Sequence, residues 1–447
     1  MAQSPDRSEV LQDLIGRAKK AGADAADALM VESLSFGASF RLGKIEDIER
    51  SETQDLGLRV MVGKRQAVVS TTDTSAKALD PLIERVVAMA KVAPEDPYCG
   101  LADPAQLAST LPDLELDDSS DPSADVLIER ARIAEEAALA VDGVTNSGGA
   151  GASFGRAAIS LATSDGFSGH YGGTSHSFSC SVLAGEGTSM ERDYDYSSAR
   201  HESDLEDAAL IGRQAGEKAV RRLNPQKVKS CQVPIIYDPR VSGGLVGHFA
   251  GAISGAAVAR GTSFLKDAMG EAVFASGIRI TDNPLMKRGR GSKPFDGEGV
   301  ATGPLALIED GRLTTWLLDT STAKQLGLTS NGRASRGTGG TPSPSTTNLT
   351  LEPGSLSPDD LIADIKSGFY VTEMIGMGVN GITGDYSRGA SGFWIENGKL
   401  TFPVSEVTVA GNLKDMFAEL TPADDLIYRA ATNAPTVRIE GMTVAGT

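Results

Sequence analysis

Apolar residues Val10, Leu11, Leu14, Ile15 and Ala18 fall on one face of a helix between Ser8 and Lys20, so the chain is expected to open with an amphipathic helix. The period then shortens toward two. Ala28–Glu32, Gly37–Leu42, Gly57–Val62 and Gln66–Ser70 read as strands, with Gly63-Lys64 as the turn between the last pair. Helical spacing returns from Ala76 to Ala93 through Leu79, Leu82, Ile83, Val86, Val87 and Met89. Pro81 must either kink this helix or mark its first turn, with Asp80 as cap. A Pro- and Asp-rich passage from Pro94 to Pro122 reads as loop, and Ser123 to Ala140 as a second helix. Gly149–Thr163, Gly166–Glu186 and Gly187–Tyr196 predict an antiparallel meander, closed by a helix from Glu202 to Leu223.

Asn224-Pro225 through Lys229 is the best boundary in the pattern, giving an expected division into residues 1–228 and 229–447. Beyond it, Val233–Tyr237 reads as a strand, and Gly243–Val258, rich in Gly and Ala, as a tightly packed buried helix. Leu305–Trp316 is a hairpin turned by Asp310-Gly311. Ile308-Glu-Asp-Gly-Arg-Leu-Thr314 is echoed by Ile395-Glu-Asn-Gly-Lys-Leu-Thr401, which predicts two similar hairpins in one sheet system. Leu326–Pro344, polar and rich in Gly, Ser and Thr, is expected to be a mobile surface loop. The fold class is therefore α+β. An N-terminal α+β domain with an antiparallel sheet and helices precedes a largely β C-terminal domain holding the buried Gly/Ala-rich helix.

Charge narrows the function. The formal net charge of −17 over 447 residues argues against a nucleic-acid backbone as the main partner, since such binding relies on Lys and Arg. Cys99, Cys180 and Cys231 are far apart and form no CxxC pair, consistent with free thiols in a reducing compartment. No stretch is apolar for about 18 residues, so no membrane span is expected, and the cytoplasm is the expected location.

The densest candidate stretch runs from Gly378 to Met416. Tyr370–Ile375 enters it as a strand, then Gly376, Gly378, Gly381, Gly384 and Gly389 punctuate a loop. Phe393–Glu396 and Lys399–Phe402 flank the hairpin turn Asn397-Gly398, and Asn412 caps a helix starting at Leu413. Gly376-Met-Gly-Val-Asn-Gly381 spells a dinucleotide fingerprint, but a polar segment and a hairpin follow where a helix is required. Ser321-Thr-Ala-Lys324 fits an SxxK serine-hydrolase motif, yet Ser330-Asn331 and Arg336-Gly-Thr338 follow too closely to supply the companion motifs. A helix cap at Asp319, Thr320 or Ser321 explains it more simply. His170 and His176 flank Tyr171–Ser175, and His201-Glu202 starts an HExxH motif that no second histidine completes. Glu191, Asp193 and Asp195 share one strand face, which reads as solvated, with cation binding as the alternative.

Taken together, these segments resemble the TldD/PmbA family, also called modulators of DNA gyrase, and within it the PmbA/TldE branch. The resemblance rests on Gly378–Ala390, Gly392-Phe-Trp394, Pro403–Glu406, Gly411–Met416, Gly247-His248 with Gly251-Ala-Ile253, Arg260–Phe264, and Thr436–Gly441. It covers most of the second half and is looser in the first. It implies a cytoplasmic, bacterial, heterodimeric metalloprotease acting on unfolded or modified peptides, as in peptide maturation. A TldD-like partner would carry zinc on an HExxxH helix with a late cysteine ligand. Here the matching positions read His248, Phe249 and Ile253, and neither His nor Cys follows His248. A catalytic zinc site needs about three protein ligands and an open position.

The expectation is therefore a zinc-less, PmbA/TldE-like subunit with no catalytic residue, metal or cofactor of its own. Its binding residues are expected at Gly378, Gly381, Asp385, Tyr386, Ser387 and Arg388, bordering a peptide cavity shared with the TldD-like chain. The loop glycines leave backbone groups approachable, and Asp385 and Arg388 bracket an aromatic anchor. Pairing or loop-capping by Asp385 and Arg388 is the competing structural role. A stand-alone hydrolase with an unrecognised metal or serine site, and a peptide-binding scaffold without protease activity, remain open. So does a homodimer of the isolated chain.

Overall fold

A computed structural model describes residues 7–446. Helix α1 (Arg7–Lys20) forms as the pattern requires, burying Leu11, Leu14, Ile15 and Ala18. The two short strands read at Ala28–Glu32 and Gly37–Leu42 are one strand, β1 (Ala25–Arg41). It turns through Leu42 and Gly43, with φ of 48° and 77°, into β2 (Lys44–Val62). The first ten residues of β2 are exposed, which explains why no alternation announced them. Gly63 (φ 59°) turns the chain into β3 (Arg65–Thr71), where the sequence placed a hairpin.

Helix α2 (Ala76–Val92) starts after Ser75, with Pro81 inside it rather than in its first turn. After the loop come α3 (Ala124–Leu139), β4 (Val144–Thr163), β5 (Ser168–Ala184), β6 (Glu191–Ala199) and α4 (Ala208–Arg221). The expected helix from Glu202 is shorter: Glu202–Asp204 is one 3-10 turn, and Asp207 caps α4 by accepting from the Leu210 N–H. The six strands form an antiparallel sheet in the order β3-β2-β1-β4-β5-β6. Helices α1 and α2 pack on one end of it, through Leu14, Leu58 and Val86. Helices α3 and α4 cover the other end, through Phe154, Phe178 and Ala134. A Cβ on Gly212 would collide with the Ala134 carbonyl, so this glycine sets how closely α4 approaches α3.

The chain then enters β7 (Cys231–Tyr237), α5 (Pro239–Ala252), α6 (Gly255–Ala259), β8 (Ile280–Asp282), β9 (Leu305–Glu309), β10 (Arg312–Leu313) and α7 (Thr320–Leu326). Next come β11 (Ala334–Ser335), β12 (Ser343–Pro344), β13 (Leu349–Leu351), α8 (Pro358–Ile362), β14 (Ser367–Ile375), β15 (Asp385–Glu396) and β16 (Lys399–Asn412). Helix α9 (Leu413–Ala418), β17 (Leu420–Pro422), β18 (Thr432–Asn433) and β19 (Val437–Ala445) complete the chain. Strands pair in the order β16-β15-β14-β7-β19-β17, and β16 also pairs with β19. That last pairing closes β7, β14, β15, β16 and β19 into a barrel, which leaves these strands no free long edge. Ile235, Phe369, Val371, Val409, Val437 and Ile439 belong to its core. The class is α+β.

Asn397-Gly398 and Asp310-Gly311 both turn with two positive φ values, the geometry of a type I′ hairpin. The two echoing hairpins sit in different sheets, one in the barrel and one in the sheet β10-β9-β8-β13-β18, so the expected shared sheet is corrected. The Gly/Ala-rich helix divides into α5 and α6 and is buried on one face only.

Leu326–Pro344 is also corrected, because it is pinned rather than mobile. Arg333 is wholly buried on Asp282, and Arg336 reaches across to Asp27 on β1. Among the described residues no helix is long and apolar enough to cross a membrane.

Candidate functional site

Asp238 caps α5 by accepting from the Arg240 N–H, and Pro239 takes the first helical position. The helix turns Leu245, Val246, Phe249 and Ala252 inward. Phe249 has no exposure and stacks edge-on against Phe274 and Phe417, with ring centroids 5.3 and 6.2 Å away. Ile253, at the C-cap, is equally buried. Of the three positions matched to the metal motif, two are therefore core side chains. His248 faces the other way, half-buried, with its ring 6.0 Å from Tyr386 and its Nε2 without a hydrogen-bond partner. Burial, and then the Arg388 guanidinium, hold its pKa below the ordinary imidazole value, so His248 is neutral near pH 7.

The glycine segment is shorter than the sequence implied. The loop ends at Gly384 (φ 86°), and Asp385–Gly389 begin β15, paired with β16 from Asn412 to Thr408. Strand alternation divides the four candidate side chains. Tyr386, 2% exposed, and Arg388 face α5, with the guanidinium above Gly244. Asp385 and Ser387 point outward. Burial holds the Tyr386 phenol above its ordinary range, against the opposing pull of Tyr237 and Arg388.

Asp385 and Arg388 do not pair with each other. Asp385 accepts from Thr383 (2.7 Å) and Asn412 (3.1 Å), bonds that hold its carboxyl below its ordinary pKa. Arg388 donates through Nε to the Gly376 carbonyl at 2.9 Å. The loop's backbone is also partly occupied: Ser387 donates to the Gly378 carbonyl (2.7 Å) and Phe264 to that of Gly381 (3.0 Å). Gly378 is needed where it is, since a Cβ there would collide with the Ser387 carbonyl; Gly381 stands in open space.

One feature of this surface escaped the sequence reading. Ile375, Met377 and Ile382 are 60%, 92% and 61% exposed, an apolar rim on the loop. On α5, Gly244, Gly247 and Gly251 are exposed, and a Cβ at Gly247 or Gly251 would meet nothing within 4 Å. Glycine in a helix interior costs about 1 kcal/mol relative to alanine, and among the described residues no close contact accounts for it at Gly247 or Gly251. Arg388 links the helix and the loop, with its guanidinium above Gly244 of α5 and its Nε on the Gly376 carbonyl.

His170 is exposed, whereas the other remaining candidates have structural partners. His176 is buried beside Asp118 (3.2 Å) and Ser120, and His201 Nε2 contacts the Glu115 carbonyl (2.8 Å). Asp193 and Asp195 are not solvated, which corrects the strand-face reading. They are buried on Lys218 and Arg222 of α4 and its C-cap and on Arg240 and Arg429 of the second half, because both pack on that face of the strand. Lys324 donates to the Leu101 carbonyl (3.3 Å), and Asp319 forms a capping box with Thr322. Among the described residues no group of three or more His, Cys, Asp and Glu side chains is placed to hold a metal ion.

Three models of the PmbA/TldA metallopeptidase family match this chain: domain 1 at residues 26–90, the central domain at 117–223 and the C-terminal domain at 230–446. The metalloprotease PmbA of Escherichia coli O157:H7 is 35% identical, over 100% of this chain and 98% of that protein. A PmbA homolog of Haemophilus influenzae is 37% identical over 100% and 97%. Among solved structures, a Bacteroides thetaiotaomicron protein named a modulator of DNA gyrase superposes with a TM-score of 0.91 at 29% identity, covering 99% of this chain and 100% of that one. TldE from Thermococcus kodakarensis shares the fold, with a TM-score of 0.86 at 22% identity over 98% and 100%.

Proposed function

The chain belongs to the PmbA/TldD metallopeptidase family, and we propose that it acts there as the non-catalytic, TldE-like subunit of a two-chain metallopeptidase. Its partner would be a TldD-like chain carrying the zinc, and its substrates unfolded or modified peptides. One observation carries this reading. The α5 positions matched to the metal motif hold Phe249 and Ile253, both buried in the core, beside a single imidazole. Donor chemistry of that kind does not fit zinc, which requires nitrogen, sulfur or carboxylate ligands converging on one point. The metalloprotease names of its relatives then describe the family's chemistry rather than this chain's own side chains.

What these residues offer instead is a surface. The glycine strip of α5, the rim of Ile375, Met377 and Ile382, and Arg388 with Tyr386 and His248 form one wall of a peptide cavity, which the partner completes. Neutral His248 and cationic Arg388 supply hydrogen bonds to a peptide's carbonyls or terminal carboxylate. The test is peptidase activity on an unstructured fluorogenic peptide, measured for this chain alone, the TldD-like chain alone and the mixture. Activity that requires both chains, and that falls with Arg388→Ala while the melting temperature of the isolated chain holds, supports the reading. Full activity from this chain alone identifies a stand-alone hydrolase. Peptide binding with no effect on the partner's activity identifies a scaffold.

A further inference from the structure

A cavity beyond the C-terminal end of α5, at α6, lies between the N-terminal sheet and the second half of the chain. It measures about 300 Å³ and is lined by Arg59 and Gln66 on one side, and by Arg260, Glu298, Asp319 and Ser321 on the other. Arg59, Glu298 and Asp319 are each at most 3% exposed, so the walls carry buried charges of both signs.

These charges do not neutralise one another across the gap. Arg59 gives its Nε and Nη2 to Asp27 at 2.9 and 2.5 Å, while Glu298 and Asp319 act on it only through space. Asp319 is spent on the cap of α7, accepting from Thr322. Glu298 accepts one hydrogen bond, from the Thr320 N–H at 2.8 Å. Among the described residues no basic group stands within ion-pair distance of its carboxyl. Burial and neighbouring Asp296 push that carboxyl up to about 7. Opposite, the buried Gln66 Oε1 has no hydrogen-bond partner. Buried charges are ordinarily paired, because removing an ion from water without a counter-charge is expensive. Glu298 has no such partner and instead keeps its proton to about pH 7, so a cationic group entering the cavity would ionise it.

We propose that this cavity binds a small zwitterion, a free α-amino acid or a dipeptide, with its ammonium group on Glu298 and its carboxylate on Arg260 and the free edge of Arg59. A metal ion fits poorly, because two guanidinium groups share the space. A simple anion fits poorly as well, because Glu298 and Asp319 face it. A zwitterion satisfies both walls, and the volume is at the lower limit of ligand pockets. Ser321, Thr322, Gln325 and Gln66 supply further hydrogen-bonding groups around the charged ends. Since residues 59–100 lie on one side and residues 256–344 on the other, an occupant binds the two halves of the chain together. The site shares no lining residue with the α5 surface, and its test needs no partner chain.

The experiment is calorimetric titration and thermal melting of the full-length chain with glycylglycine, leucine, acetate and ethylamine. Saturable binding of either zwitterion is expected, with a melting temperature that rises with ligand concentration. Acetate and ethylamine, each half of the ligand, are expected to give no response at the same concentrations. Glu298→Gln removes the anionic partner, and Arg260→Ala, at an exposed position, removes a cationic one without disturbing the core. Each is expected to weaken zwitterion binding at least tenfold, equivalent to about 1.4 kcal/mol. No saturable response to either zwitterion at about 10 mM, about tenfold above a 1 mM dissociation constant, would overturn the proposal. So would equal binding of acetate or ethylamine alone, or affinity unchanged in both variants.

Discussion

Asp27 is the residue whose loss tests the packing argument most severely. It sits on β1 at 1% exposure and takes two guanidinium groups: Arg59 at 2.9 and 2.5 Å on one oxygen, Arg336 at 2.5 Å on the other. Arg59 and Arg336 hold its carboxyl below the ordinary carboxylate range, overcoming the burial that raises it. Arg336 comes from the Leu326–Pro344 segment and reaches Asp27 through Nη1, while its buried Nε and Nη2 have no hydrogen-bond partner. Asp27→Asn keeps the shape and removes the charge, leaving two buried cations without their anion. Breaking a buried pair in this way costs about 3–5 kcal/mol, a large part of the 5–15 kcal/mol typical of a folded domain. The assay is urea unfolding followed by far-UV circular dichroism, reading the midpoint of the first cooperative transition. Asp13→Asn, at the exposed Arg17 pair, is the control and should leave the midpoint in place. Adding Arg336→Met to Asp27→Asn removes one orphaned cation and should restore part of the loss. A shift for Asp27→Asn worth less than about 1 kcal/mol would refute the claim that this cluster clamps the segment to the sheet.

Other outcomes follow from the same geometry. Glu298 holds its proton to about pH 7 in the folded chain, against an ordinary value of 4.5, so the folded state binds more protons than the unfolded one between these values. Its contribution is complete below about pH 4.5 and lost as pH rises through 7, on the order of 3 kcal/mol. Melts at pH 5 and pH 8 should therefore show Glu298→Gln gaining on the parent as pH rises; parallel curves would contradict this. Met377→Ser with Ile382→Ser should leave the isolated chain's melting temperature unchanged and weaken association with the TldD-like chain or its peptide, read by analytical ultracentrifugation and peptide titration. We propose that residues 1–228 and 229–447 are separate folding units. Trypsin should then nick near Lys227 or Lys229 and leave two fragments that elute together from a sizing column, held by buried pairs such as Asp193 with Arg240. Fragments that separate without denaturant would count against those contacts.

Much of the fold was written in local chemistry. Asn397-Gly398, Asp310-Gly311 and Gly63 each turn a hairpin where the sequence placed one, because positive φ values select these residues. The barrel's closure was not legible. It depends on Thr408–Ala410 of β16 meeting Thr443–Ala445 of β19, a pairing that no local pattern encodes. The polar segment around Arg333 and Arg336 read as solvated because its partners, Asp282 and Asp27, lie 51 and 309 residues away. Asp193 and Asp195 misled for the same reason.

At the candidate site, the residues that cluster with His248 are Tyr386 and Arg388, whereas Asp385 and Ser387 lie on the opposite face. Period-two alternation carried back through Gly389 would have separated them. The approach of His248 to Tyr386 is set by how α5 packs on the barrel, and no motif marks it.

The central claim is that this chain contributes a wall and not a metal. Its most direct test is elemental analysis of the purified, dialysed chain and of its complex with the TldD-like subunit, each normalised to protein concentration. Far less than one zinc per isolated chain, and about one per complex as a catalytic site requires, is the predicted result. Stoichiometric zinc retained by the isolated chain, and released by His248→Ala, would contradict it.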